Sequence, residues 1–310
     1  MKHPIQIREA VSEEEIRFFW NELHAFHARD IFPDPQDEDR DYFLNSPEYP
    51  AAIQKLHDRP ADRAYYLLFS RDGQDIGFAL PVLYTSQDGK CFLLEFGVFP
   101  PYRGGQTGKA CAQAFLSWAA DNGACYTELN YGNDERRLRF WQAFGFRPNG
   151  RDEWGEPLLL LPPAQPLPVT VERLSGPPDW QLLKLENGYL AEIGEEPLSE
   201  EGAKRLKQAV CDQKITFFLA KRGTRAVGMC SIVSAFSTFC CCETAVFEDF
   251  YVEPVFRGAG IARLLADAAC QWCREQGFSS LTVCCAPCDE AMYQSLGFQT
   301  RLGSTWACLL

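Results

Sequence analysis

The chain has 310 residues, 46% of them hydrophobic, a formal net charge of −12 and a pI near 4.9. That length predicts two domains, and the acidic balance excludes a nucleic-acid binder, which needs a basic surface. No run of about eighteen apolar residues is present, which excludes a membrane-spanning helix.

The opening residues lack the apolar stretch of a secretory signal, so a cytoplasmic protein with reduced thiols is expected. Residues 11–29 alternate charges with Ile16, Phe18, Phe19, Leu23 and Phe26 and predict a helix. His24 and His27 lie on it without an evident third metal ligand and read as surface or capping histidines. Residues 30–42 are acidic and broken by prolines, a loop, and 50–57 a short helix. Strands follow at 65–70 and 77–84 around the turn dipeptide Asp72-Gly73, and at 91–99. The third strand runs into proline and the turn Arg103-Gly104-Gly105-Gln106-Thr107-Gly108. A helix burying Cys111, Ala114, Phe115 and Trp118 comes next, then a strand at 125–130, a helix at 134–144 and Gly145-Phe146.

The proline-rich segment 162–168 reads as a linker. It separates a domain at 1–161 from one at 169–310. After it the order recurs: strand 169–174, helices 179–187 and 199–211, and strands 215–221, 225–233 and 244–252. Then come a helix to 276, a buried strand at 281–286, a helix at 289–296 and closing strands at 298–301 and 304–310. This is an internal repeat. Arg103 to Gly145 spans 42 residues and Arg257 to Gly297 spans 40, with the same strand, proline, Arg-Gly turn, helix, strand, helix and Gly-Phe in each.

Residues 247–263 carry the chemistry. An acidic, aromatic strand ends at Pro254, then a short glycine turn opens a helix whose face is Ile261, Leu264, Leu265, Ala268, Ala269 and Trp272. Free N–H groups and the positive end of the helix dipole converge there, and glycine lets the backbone approach a phosphate. A pyrophosphate site is expected. It is not a P-loop, because no Gly-Lys-Ser/Thr follows, and it has too few glycines for a dinucleotide fold.

Arg257-x-x-Gly260-x-Ala262 after a strand ending in Val252 resembles the acetyl-CoA signature of the GNAT superfamily of N-acetyltransferases. Tyr293-Gln-Ser-Leu-Gly297-Phe298 is similar to that superfamily's second motif. The resemblance implies an α/β fold of two tandem GNAT-like domains, each a roughly seven-stranded mixed sheet between helices with two splayed central parallel strands. It implies acetyl-CoA as co-substrate. The pyrophosphate would sit on the N–H groups of Gly258, Ala259, Gly260, Ile261 and Ala262, with a contact from Arg257. The pantetheine arm would pair with the backbone of Tyr251 and Val252. It further implies transfer to a primary amine of a small molecule or peptide. Tyr293 would serve as the acid for the leaving thiolate, and Glu248 or Asp249 as the base. Adjacent strand residues point to opposite faces, so only one of those two acids is expected to face the cleft, and Glu248 is favoured.

Two departures stand out. Ala286 replaces the asparagine found in many relatives. In the first copy Gln106 stands where Gly260 stands in the second, Trp141 replaces the tyrosine, and Glu95 matches Asp249. The first copy is therefore expected to keep the fold without the chemistry. A non-catalytic acyl-CoA-binding or scaffolding module is the rival reading, and a longer acyl donor a variant of the first. Of 14 cysteines eleven follow residue 210. Cys270-x-x-Cys273 and Cys285-x-x-Cys288 have zinc-knuckle spacing, but they fall on a helix face and by an apolar strand, so no metal is expected.

Overall fold

The structure, a computed structural model, describes residues 4–163, 165, 167–238 and 240–303. Contacts divide the chain into two compact units, Met1–Arg147 with Glu156–Gln165, and Pro148–Gly155 with Pro166–Leu310.

The first unit begins with β1 (Gln6–Glu9), α1 (Glu13–Phe26), α2 (Arg40–Leu44), α3 (Glu48–His57), β2 (Leu67–Arg71), β3 (Gln74–Tyr84) and β4 (Lys90–Val98). It continues with α4 (Thr107–Asp121), β5 (Tyr126–Asn130), α5 (Glu135–Gln142), β6 (Arg147–Arg151), whose residues from Pro148 on are grouped with the second unit, and β7 (Pro157–Leu161). The seven strands order as β1-β2-β3-β4-β5-β7-β6, with β4 and β5 parallel. Ser12 and Glu15 start α1 by bonding each other's backbone N–H groups, a capping box. The helix stops three residues short of the expected Arg29, where a single π turn, His27–Ile31, takes over. The expected loop at 30–42 contains the start of α2. Alternation along the strands feeds two cores. Leu67 and Phe69 join Cys111 and Phe115 of α4, whereas Leu68 joins Phe19 and Leu23 of α1. Helices therefore cover both faces of the sheet.

The second unit has β8 (Val169–Arg173), α6 (Trp180–Ile193), α7 (Glu200–Cys211), β9 (Thr216–Arg222), β10 (Arg225–Ser237) and β11 (Cys242–Val252). It closes with α8 (Ile261–Glu275), β12 (Leu281–Val283) and α9 (Glu290–Leu296). Five strands, against the seven expected, are ordered β12-β11-β10-β9-β8 among the described residues, and β11 and β12 are the parallel pair. The Asp179 carboxylate accepts from the N–H groups of Gln181 and Leu182 to open α6, and Gly194, with φ at +82°, closes it. Phe217 and Leu219 of β9 pack with Leu182 and Leu185 of α6. Phe218, between them, meets Trp272 of α8 with rings 6.0 Å apart. Helices α6 and α8 thus lie on opposite faces.

Three expectations need correcting here. The buried face of α8 is Ile261, Leu265, Ala266, Ala269 and Cys273, and Leu264 is exposed, because the helix turns its four-residue ridge inward. The strand expected over 281–286 ends at Val283, leaving Cys284 exposed, because β11 supplies only three pairing positions. Residues 298–301 form no strand, and the strand expected at 304–310 lies outside the described residues.

A buried ion cluster fixes α6 to the end of β11. The Arg225 guanidinium, 1% exposed, donates twice to Glu253, at 3.0 Å from Nε and 2.7 Å from Nη2. Lys184 of α6 reaches the same carboxylate at 3.2 Å. Such a carboxylate is held by charge-assisted bonds that removal of any one partner would leave unbalanced.

Candidate active site

The site of the second unit starts where two strands part. Strand β12 pairs with Ala245, Val246 and Phe247 of β11 and then ends, while β11 runs on to Val252 beside β10 alone. From Glu248 onward one edge of β11 therefore lacks a strand partner among the described residues. Main-chain donors and acceptors on such an edge can pair with an extended ligand.

The ladder between β10 and β11 slips at this point. Ser231 lies opposite Glu248 and Met229 opposite Tyr251, so Asp249 and Phe250 face Cys230 alone. This is a β-bulge. Asp249 takes a φ of +43°, which departs from strand geometry. Strict alternation would send Glu248 and Asp249 to opposite faces, and the bulge overturns that expectation. Glu248 is paired across from Ser231, and Asp249 accepts a hydrogen bond from the Ser231 hydroxyl at 2.9 Å. Tyr189, on α6, lies within electrostatic reach of both carboxylates. Burial raises both carboxyl groups above their usual range. Asp249 lies deeper, while Glu248 is exposed and is raised further by Asp249.

A third acid joins them that the sequence reading passed over. Glu186 of α6 is 6% exposed, and its side chain has no hydrogen bond or ion pair among the described residues. Burial first, and then the nearby Asp249, push its carboxyl up to about 8. The signal was present in the sequence. Leu182, Leu185, Glu186 and Tyr189 fall at the i, i+3, i+4, i+7 spacing of one helix face, and the only acid on that face is Glu186.

Tyr293 on α9 is half-buried beside Phe247, Phe250 and Phe298, with ring centroids 6.4, 6.2 and 5.9 Å away. Burial, and then Tyr189, raise its phenol to about 12. The phenol therefore stays protonated near neutral pH and can donate a proton.

The glycine turn lies at the other end of the open strand. Gly258 and Gly260 take φ values of +75° and +80°, and Gly260 caps α8. The N–H groups of Gly258, Ala259 and Gly260 have no acceptor among the described residues, and those of Ile261 and Ala262 open the helix. A pyrophosphate fits such a nest of donors. Arg257 faces elsewhere. Its Nε donates to the Val252 carbonyl at 2.8 Å and its Nη2 bonds Glu192, so in this structure the charge holds the turn against β11 and α6. Tyr251 and Val252 sit on the open stretch of β11, with the Tyr251 ring packed on Gly188 of α6. A Cβ at Gly188 would lie 2.9 Å from that ring.

The same frame in the first unit is filled differently. Strand β4 pairs with β5 only as far as Leu93 and then continues to Val98. Gln106 takes the left-handed cap position, with φ at +66°, and the Thr107 N–H is bound to the Gly104 carbonyl at 2.9 Å. Trp141 is buried against Phe96, centroids 5.3 Å apart. Glu95 is met by His27 Nε2 at 2.7 Å and by the Tyr49 hydroxyl at 3.4 Å. His27 caps the C-terminus of α1 as expected, but it is a buried partner of Glu95 and not a surface residue, because the π turn swings it inward under Phe32 and Phe43. Among the described residues no three of His, Cys, Asp and Glu are grouped so as to hold a metal ion, and no helix is long and apolar enough to cross a membrane.

Solved structures similar in fold include an aminoglycoside acetyltransferase from an uncultured soil metagenomic sample, in complex with sisomicin. It shares 19% identity over 46% of this chain and 95% of its own, with a TM-score of 0.41. A predicted acetyltransferase with acetyl-CoA from Clostridium acetobutylicum shares 17% over 46% and 96%, with a TM-score of 0.39. The PaiA N-acetyltransferase of Thermoplasma acidophilum, in complex with coenzyme A, shares 16% over 52% and 99%, with a TM-score of 0.41. No curated protein matches the chain. The model of the acetyltransferase (GNAT) family matches twice, over residues 20–146 and 180–298, which takes in most of both units. The repeat, the parted parallel strands and the glycine turn before a helix thus have one source, and the chain belongs to the GNAT family of acetyltransferases.

Proposed function

We propose that the second unit transfers an acetyl group from acetyl-CoA to a primary amine of a small molecule or peptide. One observation carries this reading: the unpartnered N–H groups at 258–260 and the open edge of β11 form one continuous backbone surface that leads to the carboxylates. A diphosphate with an extended amide-bearing arm has the matching donors, acceptors and charge. Acetyl-CoA supplies an activated acyl carbon whose thiolate leaves readily. The chain supplies the rest. Glu248 and Asp249 attract the acceptor's ammonium group, a carboxylate of the site takes its proton, and Tyr293 protonates the departing sulfur. Exposed Glu248 stands at the mouth and Asp249 deeper.

The test is release of CoA thiol by the purified full chain with acetyl-CoA and a panel of primary amines, alongside calorimetry of acetyl-CoA binding. Turnover with at least one amine, lost in Tyr293→Phe while binding persists, is the expected result. Binding without thiol release across the panel would instead establish an acyl-CoA-binding module.

A further inference from the structure

Glu186 poses a problem that the acetyltransfer reading does not resolve by itself. A buried acidic residue normally has a hydrogen-bond or ionic partner. Glu186 has neither among the described residues, and its electrostatic neighbour is another acid. The fold places it there firmly. Leu182 and Leu185, on the same face of α6, are fully buried, and Gly188 lets the helix close on to Tyr251. Asp249 is turned to the same side by its left-handed backbone and held by Ser231. Ser231 lies opposite Phe217, which packs with α6. Two carboxyl groups from two elements thus lie on the same face of the sheet, within electrostatic reach of each other.

The groups around Glu186 supply no compensating cation. Among the described residues its neighbours are Asp249 of β11 and Tyr189 of α6; Tyr189 also lies within reach of Glu248, and Asp249 is bonded by Ser231 of β10. Lys184 and Arg225 are bound to Glu253 at the far end of β11. A buried carboxyl beside another acid holds its proton, and an incoming cation displaces it.

We infer that Glu186 and Asp249 form a carboxyl pair that receives a cationic amine, and that Glu186 accepts the proton which makes that amine a nucleophile. The inference rests on the acetyltransfer reading and names its acceptor class, an alkylammonium. Asp249, fixed by Ser231, holds the ammonium. Glu186 takes one proton from nitrogen, and the freed lone pair forms the bond to the acyl carbon as the carbon–sulfur bond breaks. Nitrogen's surplus proton leaves with the thiolate through Tyr293, and Glu186 returns its own proton to solvent. An acceptor carboxyl raised toward the ammonium's range is a stronger base than an ordinary one.

The test needs no acetyl-CoA, so it fails independently of the acetyltransfer reading. Binding of n-butylamine to the full chain is measured by calorimetry at pH 6.5 and pH 9, in buffers of different ionisation enthalpy. Wild type is expected to release about one proton per amine bound at pH 6.5 and almost none at pH 9. Glu186→Gln is expected to lose the proton release and to bind about tenfold more weakly at pH 9, and Asp249→Asn to bind more weakly still. Carboxyl-carbon NMR titration of wild type should show one glutamate titrating near 8, absent in Glu186→Gln and shifted down in Asp249→Asn. Failure of wild type to bind up to 100 mM n-butylamine, or unchanged proton release in a folded Glu186→Gln variant, overturns the inference.

Discussion

The two units share a backbone frame and differ in what they leave open. Eight residues before the motif arginine the first unit has Glu95 and the second Asp249. Glu95 is answered by His27 and Tyr49, whereas Asp249 faces a second acid, Glu186. Gln106 and Gly260 hold the same left-handed cap, yet the Thr107 N–H is bound to the Gly104 carbonyl, whereas the matching Ile261 N–H has no such bond in its turn. The arginines behave alike. Arg103 donates to the Val98 carbonyl and to Asp30, as Arg257 does to Val252 and Glu192. The arginine of the motif therefore maintains the turn in both units. The second unit alone combines unbound turn N–H groups with a buried acid that has no side-chain partner among the described residues. A conserved frame is cheap to keep because packing maintains it, while an open polar site persists only where a ligand repays its desolvation.

Four substitutions test this difference between the units. The largest effect is expected at Tyr293, whose counterpart is Trp141. Tyr293→Phe should lower kcat by about 10²-fold or more, with acetyl-CoA affinity within about twofold, by steady-state kinetics and calorimetry. Equal losses in both would make Tyr293 a binding residue. Next is the exchange of cap residues. Gly260→Gln brings the first unit's residue into the second, and should weaken acetyl-CoA binding by about tenfold by calorimetry, since a left-handed non-glycine residue costs about 1–2 kcal/mol and projects a side chain toward the nest. An unchanged affinity would show that the first unit's turn is silent for another reason, the bound Thr107 N–H.

The third effect is on stability. The Glu186 carboxyl titrates near 8 in the folded chain and at 4.5 otherwise, so the folded state carries the extra proton between those values. Stability therefore falls as pH rises through that window. Glu186→Gln removes the fall, and its Tm should gain on wild type from pH 5 to pH 8.5 in thermal melts. A constant difference across that range would place the group's pKa near its ordinary value. The smallest effect is expected in the first unit, where Gln106→Gly relieves the left-handed strain and should raise stability by up to about 1 kcal/mol in denaturant unfolding, without creating an acetyl-CoA site.

Much of the fold was legible because the repeat appears in punctuation. Pro254, Gly258, Gly260 and Gly297 mark strand end, turn, cap and stop, and each does so through backbone conformation that few other residues adopt. The less legible features depend on contacts remote in sequence. Nothing in residues 24–31 announces that a π turn will carry His27 to Glu95, since that bond spans 68 positions. Glu186 sat in view on an apolar face, but its partner, Asp249, is brought there by a bulge that period-2 reading smooths over. The opposite-face argument for Glu248 and Asp249 failed for that reason: it applied ideal pleating to the one stretch of β11 that is not ideally pleated.

The bulge at Asp249 also acts as a phase change along the strand. Every side chain after it falls on the face that an unbroken ladder would have assigned to its neighbour. Glu253 reaches the interior and Arg225 on that shifted count, and the glycine turn begins from it. Removing one residue at 249 would amount to a frameshift in space: the chain downstream would keep its sequence and present its opposite side. Acidic cluster, ion pair and glycine turn are therefore set by one reading frame, and its punctuation mark is an aspartate with a positive φ.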